Sequence, residues 1–345
     1  SGVVCLGCGT TPPAEATVPR LGFVDMTEAV APPMAFVEAF DGVGNLGGGV
    51  AAEDLDADGH IDLLFGAFGA PRVLLWKRGD GTFDDGTAAA GIPEAEALTN
   101  GVSAVDIDND GDRDVFLATG RGLVFLENQG GRTFTDRTMS AGLGALVNAE
   151  TASFADFNGD GWLDVFVATG LRLDMRPARS DPGGDLFKSL PGSAPVLFRN
   201  RGDGTFEDVS AKVGPGGMVP GNSYMGSALD WDGDGDQDLF VINDYHAAGL
   251  NHVYRNDGDD GDGWVALVNV SDSCGCGEPR SAMGIGLFDL NRDAGFGIVR
   301  QAMILTCVEG VLGLHEEIGP RDQTAFDGRS DRLADARFVV VAALV

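Results

Sequence analysis

The chain has 345 residues, of which 53 are acidic, 23 basic and 53 glycine, and its formal net charge is −30. That balance excludes nucleic acid and anionic membrane surfaces as partners, because both demand basic patches, and no apolar run is long enough to span a bilayer. With 43% apolar residues the chain is no disordered acidic tail, and its glycines lack the every-third-residue period of collagen.

Residues 1–20 read as an N-terminal arm. The stretch SGVVCLGC at 1–8 is small and apolar like the end of a signal peptide. A lipid anchor on Cys8 is the alternative, weakened by Cys5 standing where a lipobox has leucine. The adjoining TTPPAEATVP has the composition of an extended linker. Residues 21–345 are expected to form a single domain, opening with an F-x-D strand at Gly22-Phe23-Val24-Asp25-Met26-Thr27 that lacks a repeat of its own.

Four copies of one nine-residue phrase, D-x-[DN]-x-D-G-x-x-D, organise residues 54–238. They are Asp54, Asp56, Asp58, Gly59 and Asp62; Asp106, Asp108, Asp110, Gly111 and Asp114; Asp156, Asn158, Asp160, Gly161 and Asp164; and Asp230, Asp232, Asp234, Gly235 and Asp238. The starts lie 52, 50 and 74 residues apart. A small-residue run precedes each phrase, such as Gly49-Val50-Ala51-Ala52. Two β-rich apolar runs come after it, such as Leu63-Leu64-Phe65 and Val73-Leu74-Leu75-Trp76. Three copies then close on a turn and a short F-x-D strand: GDGTFDD at 79–85, GGRTFTD at 130–136 and GDGTFED at 202–208. Four short strands between Gly/Asp turns in roughly 50 residues make the unit of a β-propeller blade. No 3.6-residue apolar period survives the glycines, so a helical reading fails.

The long third interval contains about 21 extra residues between two strands, read against the spacing of a regular blade. They fall at 171–193, a Pro- and Gly-rich surface loop with Arg172, Arg176, Arg179 and Lys188, which offers cations to an anionic partner or to neighbouring acids. Asn269-Val270-Ser271 matches a glycosylation sequon. Cysteines 5, 8, 274, 276 and 307 are expected to form two disulfides with one left over; a four-thiolate metal site is a less favoured option. Two degenerate phrases lie further along. Asp289, Asn291 and Asp293 keep the first three acidic positions, whereas the copy at Asp327 has Arg329 at position three. The orphan N-terminal strand is expected to complete the blade begun at the C-terminus, which removes an exposed sheet edge. The predicted fold is therefore an all-β propeller of six to seven four-stranded blades.

Asp and Asn at positions one, three and five turn oxygens inward when the chain wraps tightly, and glycine at six permits the left-handed turn. Position seven gives a backbone carbonyl (His60, Asp112, Trp162 and Asp236), and Asp at nine closes the shell. This hard, all-oxygen donor set suits Ca²⁺ and not the tight octahedron of Mg²⁺. It resembles the first part of an EF-hand loop, with strands in place of helices and Asp at nine in place of Glu at twelve. Four calcium sites are expected, with a partial fifth at Asp289, Asn291 and Asp293. Seventeen of the 53 acidic residues lie in the four intact loops, so much of the charge is an ion-binding inventory.

The phrase and its NxGDGTFxD hairpin are similar to the FG-GAP/VCBS repeat family, which includes the integrin α-subunit propeller. The resemblance covers residues 20–260 well and 280–345 poorly. It implies a propeller, usually seven-bladed, with calcium in loops on one rim, in a secreted or cell-surface protein. The expected function is thus an extracellular binding or adhesion module for a protein or glycan, with calcium structural. Two other classes stay open. A secreted hydrolase or lyase would need carboxylates or histidines lining a calcium-free cleft, and a surface-layer or filament subunit would show lateral self-contacts. The four histidines are scattered and no nucleophile-elbow, phosphate-loop or zinc motif appears, which disfavours the enzyme. Arg78-Gly79-Asp80 and Arg201-Gly202-Asp203 spell the tripeptide that integrins recognise, but both fall in the hairpin where Gly-Asp-Gly is turn chemistry.

Overall fold

Gly/Asp punctuation cuts each repeat into four strands that pair in chain order. A computed structural model describes residues 49–274, apart from 67–70, 95–98, 145–147, 171–191, 215, 245–249, 260 and 262, together with 284–288, 297–302 and 315–318. All of these fall within one compact unit, Ala35–Val345. The first sheet is β1 (Val50–Glu53), β2 (Asp62–Phe65), β3 (Val73–Lys77) and β4 (Phe83–Asp85). The second is β5 (Thr99–Val105), β6 (Asp114–Thr119), β7 (Gly122–Asn128) and β8 (Phe134–Asp136). The third is β9 (Ala149–Ala155), β10 (Asp164–Thr169), β11 (Val196–Asn200) and β12 (Phe206–Asp208). The fourth is β13 (Ser223–Leu229), β14 (Asp238–Asn243), β15 (His252–Asp259) and β16 (Val265–Asn269). A fifth sheet pairs β17 (Gly284–Phe288), β18 (Gly297–Ala302) and β19 (His315–Ile318). Every pairing is antiparallel and between chain neighbours.

This is the β-propeller expected from the repeats. The orphan strand at 22–27 and the degenerate phrases at 289 and 327 lie outside the described residues. So does most of the insertion, which leaves the sheet between β10 and β11, at Gly170. The fourth blade lacks an F-x-D strand, and Trp264 with β16 takes that place.

The second strands β6, β10 and β14 are buried at every residue, and do not alternate, because each blade is covered on both faces by its neighbours. The core is accordingly a series of interblade clusters. Leu64, Leu74 and Trp76 of the first blade meet Val115, Leu117 and Leu126 of the second. Phe116 and Phe125 stack at 4.7 Å, and Phe116 meets Phe154 of the third blade at 5.0 Å. Phe166 and Leu197 meet Leu239, Tyr254 and Trp264 of the fourth. The first strands are stitched to one another by side chains. Ser103 Oγ donates to Ala152 O, and Thr151 and Ser153 donate to Tyr224 O and Gly226 O. Residues 100, 150 and 224 each occupy a bulge near the start of β5, β9 and β13.

Candidate metal centre

Each acidic loop joins the first strand of a blade to the second, so the loops share one end of successive blades. Asn109 of the second loop donates to the carbonyl of Gly161 in the third at 3.1 Å. The turn is built by the first aspartate. Asp54 accepts from the N–H of Asp58 at 3.1 Å and of Gly59 at 2.9 Å, and Asp156 and Asp230 repeat the pattern. Position six is left-handed in all four loops, with φ of 88°, 97°, 89° and 101° at Gly59, Gly111, Gly161 and Gly235. Position four is left-handed too, at Ala57, Asn109, Gly159 and Gly233, which the sequence pattern does not reveal because only two of these are glycine.

These turns gather the carboxylates of positions one, three and five. In three loops, Asp54/Asp56/Asp58, Asp106/Asp108/Asp110 and Asp230/Asp232/Asp234 each bring one oxygen per residue within 4.8 Å of the others. In the third loop Asn158 replaces the middle carboxylate, and its side-chain amide donates to Asp160 at 2.8 Å. The backbone N–H groups around the loop engage many of these oxygens. Two stay buried without a hydrogen-bond partner, Asp106 Oδ1 and Asp232 Oδ1. A buried, unpartnered carboxylate oxygen beside two other carboxylates has the chemistry of a cation ligand. The donor set, all oxygen with a glycine-turned backbone, fits Ca²⁺. Asp289, Asn291 and Asp293 lie outside the described residues.

The ninth aspartates do more than the sequence indicates. Asp62, Asp114, Asp164 and Asp238 open the second strands and are at most 1% exposed. One oxygen of each accepts from the N–H at position two: Leu55 at 3.0 Å, Ile107 at 3.2 Å, Phe157 at 3.1 Å and Trp231 at 2.6 Å. The other accepts from the third strand, at the N–H of Lys77, Asn128, Asn200 and Asn256 over 2.7–2.9 Å. Each carboxylate thus ties the acidic loop to its own blade, while carboxylate oxygens retain a second lone pair for an ion. Burial pushes the Asp114 and Asp164 carboxyls up to about 7, against the two N–H donors that favour the charged form. Asp62 and Asp238 are raised for the same reason, and the loop aspartates add repulsion.

A second set of residues emerges only from the structure. Asn128, Asn200 and Asn256, each at most 3% exposed, donate across the blade junction to the preceding loop's position-two carbonyl. The acceptors are Leu55 O at 2.9 Å, Ile107 O at 2.9 Å and Phe157 O at 2.8 Å. Each side-chain oxygen also caps the adjoining turn at Gly130, Gly202 or Gly258. The sequence signal is the Asn that opens the NxG hairpin; Lys77 stands there in the first described blade.

Other sequence candidates resolve locally. Asp80 and Asp203 accept from both the N–H and hydroxyl of Thr82 and Thr205, and these bonds hold their carboxyls below the ordinary range. Arg78 pairs with Asp84 and Arg201 with Glu207, so both Arg-Gly-Asp stretches are turn chemistry. His60 and Trp162 supply turn backbone at position seven. Cys274 is disulfide-bonded. Among the described residues a cleft of about 490 Å³ lies between the third loop and the fourth blade, lined by Asp160, Arg199, Asp236 and Trp264 among others. No helix among the described residues is long and apolar enough to cross a membrane.

Stacked four-stranded blades with an acidic oxygen loop at each first turn define a repeat propeller. Residues 54–117 and 106–167 match the model of the FG-GAP-like repeat, and the chain carries FG-GAP repeats. It is similar to cartilage acidic protein 1 of Homo sapiens, 26% identical over 228 residues covering 64% of this chain. The Mus musculus protein is 25% identical over 227 residues. This chain spans about a third (32%) of the length of these relatives. Among solved structures it is similar to an Agrocybe aegerita lectin that recognises non-reducing terminal N-acetylglucosamine. That likeness has a TM-score of 0.41 and 19% identity, covers 79% of this chain and 66% of that one, and is too loose to carry an argument.

Proposed function

We propose that this propeller is a secreted or cell-surface calcium-binding module that presents a rigid face to a protein or glycan ligand. The calcium would be structural. The observation carrying this reading is the repetition, in three described loops, of three converging carboxylates, two of them retaining a buried oxygen without a hydrogen-bond partner. Positions one, three and five, the carbonyl at seven and the ninth aspartate would hold the ion. Its positive charge would relieve repulsion that the folded loops otherwise contain. The cartilage named in the relatives, and their description as acidic, support an extracellular setting.

The test is a thermal melt and a calcium titration on the same preparation, together with binding to arrayed glycans and matrix proteins. Calcium should raise the melting temperature saturably, and ligand retention should require it. An unchanged melt in excess EGTA, with no calcium bound, would defeat the reading.

A further inference from the structure

The hairpins after the third strands of the first three blades share one frame, but Gly-Asp-Gly at 79–81 and 202–204 becomes Gly-Gly-Arg at 130–132. Gly81 in the first blade and Gly204 in the third sit at φ of 86° and 79°, where glycine carries no steric penalty. The second blade has Arg132 there, held at φ of 69°. An arginine in that conformation is sterically disfavoured, so its neighbours must hold it. They are identifiable. Arg132 Nε lies 2.5 Å from Asp56 Oδ2, its Nη2 lies 3.4 Å from Asp58 Oδ2, and its guanidinium stands 5.3 Å from the centre of the Trp76 ring. Asp56 and Asp58 are positions three and five of the first acidic loop, and the Asp56 side chain is only 4% exposed.

A cation from the second blade is therefore seated on two of the three carboxylates that converge in the first loop. Among the described residues no ion pair closes on a carboxylate of the second or fourth loop, and Arg255 attracts Asp232 and Asp238 only from a longer range. In the third, Arg199 reaches only Asp160, at 3.7 Å. We infer that Arg132 is a tethered counter-cation for the first loop, so that this loop binds Ca²⁺ in competition with Arg132 and more weakly than the second and fourth. This inference rests on the calcium reading above. When Ca²⁺ enters, the guanidinium gives up Asp56 and Asp58 and keeps the indole face of Trp76. When calcium is scarce, Arg132 returns and the junction between the first two blades keeps its charge balance. The first loop is then the one whose occupancy tracks the calcium concentration.

The experiment is a calorimetric Ca²⁺ titration of the full chain, with Asp54→Ala, which removes a position-one carboxylate that Arg132 does not touch, identifying the first loop's step as the one it removes. In the wild type that step should be weaker than the rest. In Arg132→Gly, which restores the glycine of the sibling hairpins, it should tighten about five- to tenfold, the range expected for losing two partly exposed ion pairs. If Arg132→Gly does not fold, Arg132→Gln is read in its place. A step that tightens less than twofold, or no step lost in Asp54→Ala while other loops bind, overturns this inference alone. If neither the wild type nor the variant binds calcium, the calcium reading falls and takes this one with it.

Discussion

Replacing Asn200 by alanine should destabilise the propeller far more than a surface polar substitution. Its side chain is 3% exposed and makes three hydrogen bonds: to Ile107 O of the preceding blade at 2.9 Å, to Leu163 O at 3.1 Å, and from Gly202 N–H at 2.9 Å. Alanine fills none of these roles and leaves two carbonyls and one N–H facing an apolar gap. Each net hydrogen bond contributes about 1 kcal/mol, and a buried group left unsatisfied costs about 1–3 kcal/mol. Water entering the gap recovers part of that, so roughly 3–4 kcal/mol is expected, a fall of about 4–6 °C in melting temperature for a chain of this size. Asn200→Asp keeps the acceptor for Gly202 but loses both donors and adds a charge beside buried Asp164. It should be at least as damaging. Lys77→Ala, at the equivalent position of the first described blade, removes no such bond and should change stability by about 0.5 kcal/mol or less. Urea melts of the three variants in saturating calcium make the comparison. If Asn200→Ala falls within about 1 kcal/mol of the wild type, the cross-blade bond does not hold the blades together.

Three further outcomes rest on particular contacts. Burial pushes the Glu150 carboxyl from 4.5 up to about 7. Below pH 4.5 folded and unfolded chains both hold that proton; above it the unfolded chain releases its proton first, and stability falls until about pH 7. Glu150→Gln should therefore be the more stable protein at about pH 8 by about 1–3 kcal/mol, and the two should converge toward about pH 4.5. A pH-independent difference in urea midpoints would refute that. A methyl group on Gly226 would stand 2.4 Å from the Phe166 ring of the neighbouring blade. Gly226→Ala should cost about 1–3 kcal/mol, and Phe166→Leu in the same chain should recover part of it, a coupling that a double-mutant cycle measures. Asp106→Ala should remove one calcium equivalent from a titration while the other loops still bind. Full stoichiometry would show that its buried Oδ1 is not a ligand.

The propeller is legible in the sequence because its signals are local. Turn residues, a nine-residue phrase and two apolar runs recur within each repeat, and the 74-residue interval places the insertion between two strands of one blade. The junctions are not legible, because their partners lie 73, 93 and 99 residues apart in the Asn128, Asn200 and Asn256 bonds. No local period encodes such a contact. The ninth aspartate is legible only in part. Its carboxylate reads as an oxygen donor, but its two N–H partners come from residues seven positions back and from the third strand. Arg132 reads as a hairpin residue, and only the seating of one blade on the next turns it toward Asp56.

A single residue at position two links the ninth aspartate to the blade junction. At Ile107 the N–H binds the ninth aspartate, Asp114, and the carbonyl accepts from Asn200 of the next blade. Leu55 and Phe157 repeat this arrangement with Asp62 and Asn128, and with Asp164 and Asn256. An ion that fixes the loop therefore also fixes the carbonyl on which the next blade docks. If calcium occupies these loops, its loss would loosen that residue and weaken the docking, so chelation should not merely fray surface turns. For each site held at about a hundred times its dissociation constant, removal of calcium should withdraw about 2.7 kcal/mol from the folded state. The loss should appear as one shifted unfolding transition, reported alike by near-ultraviolet and far-ultraviolet dichroism. A separate low-temperature phase confined to the loops, with the main transition unmoved, would show that the ions and the blade junctions are energetically independent.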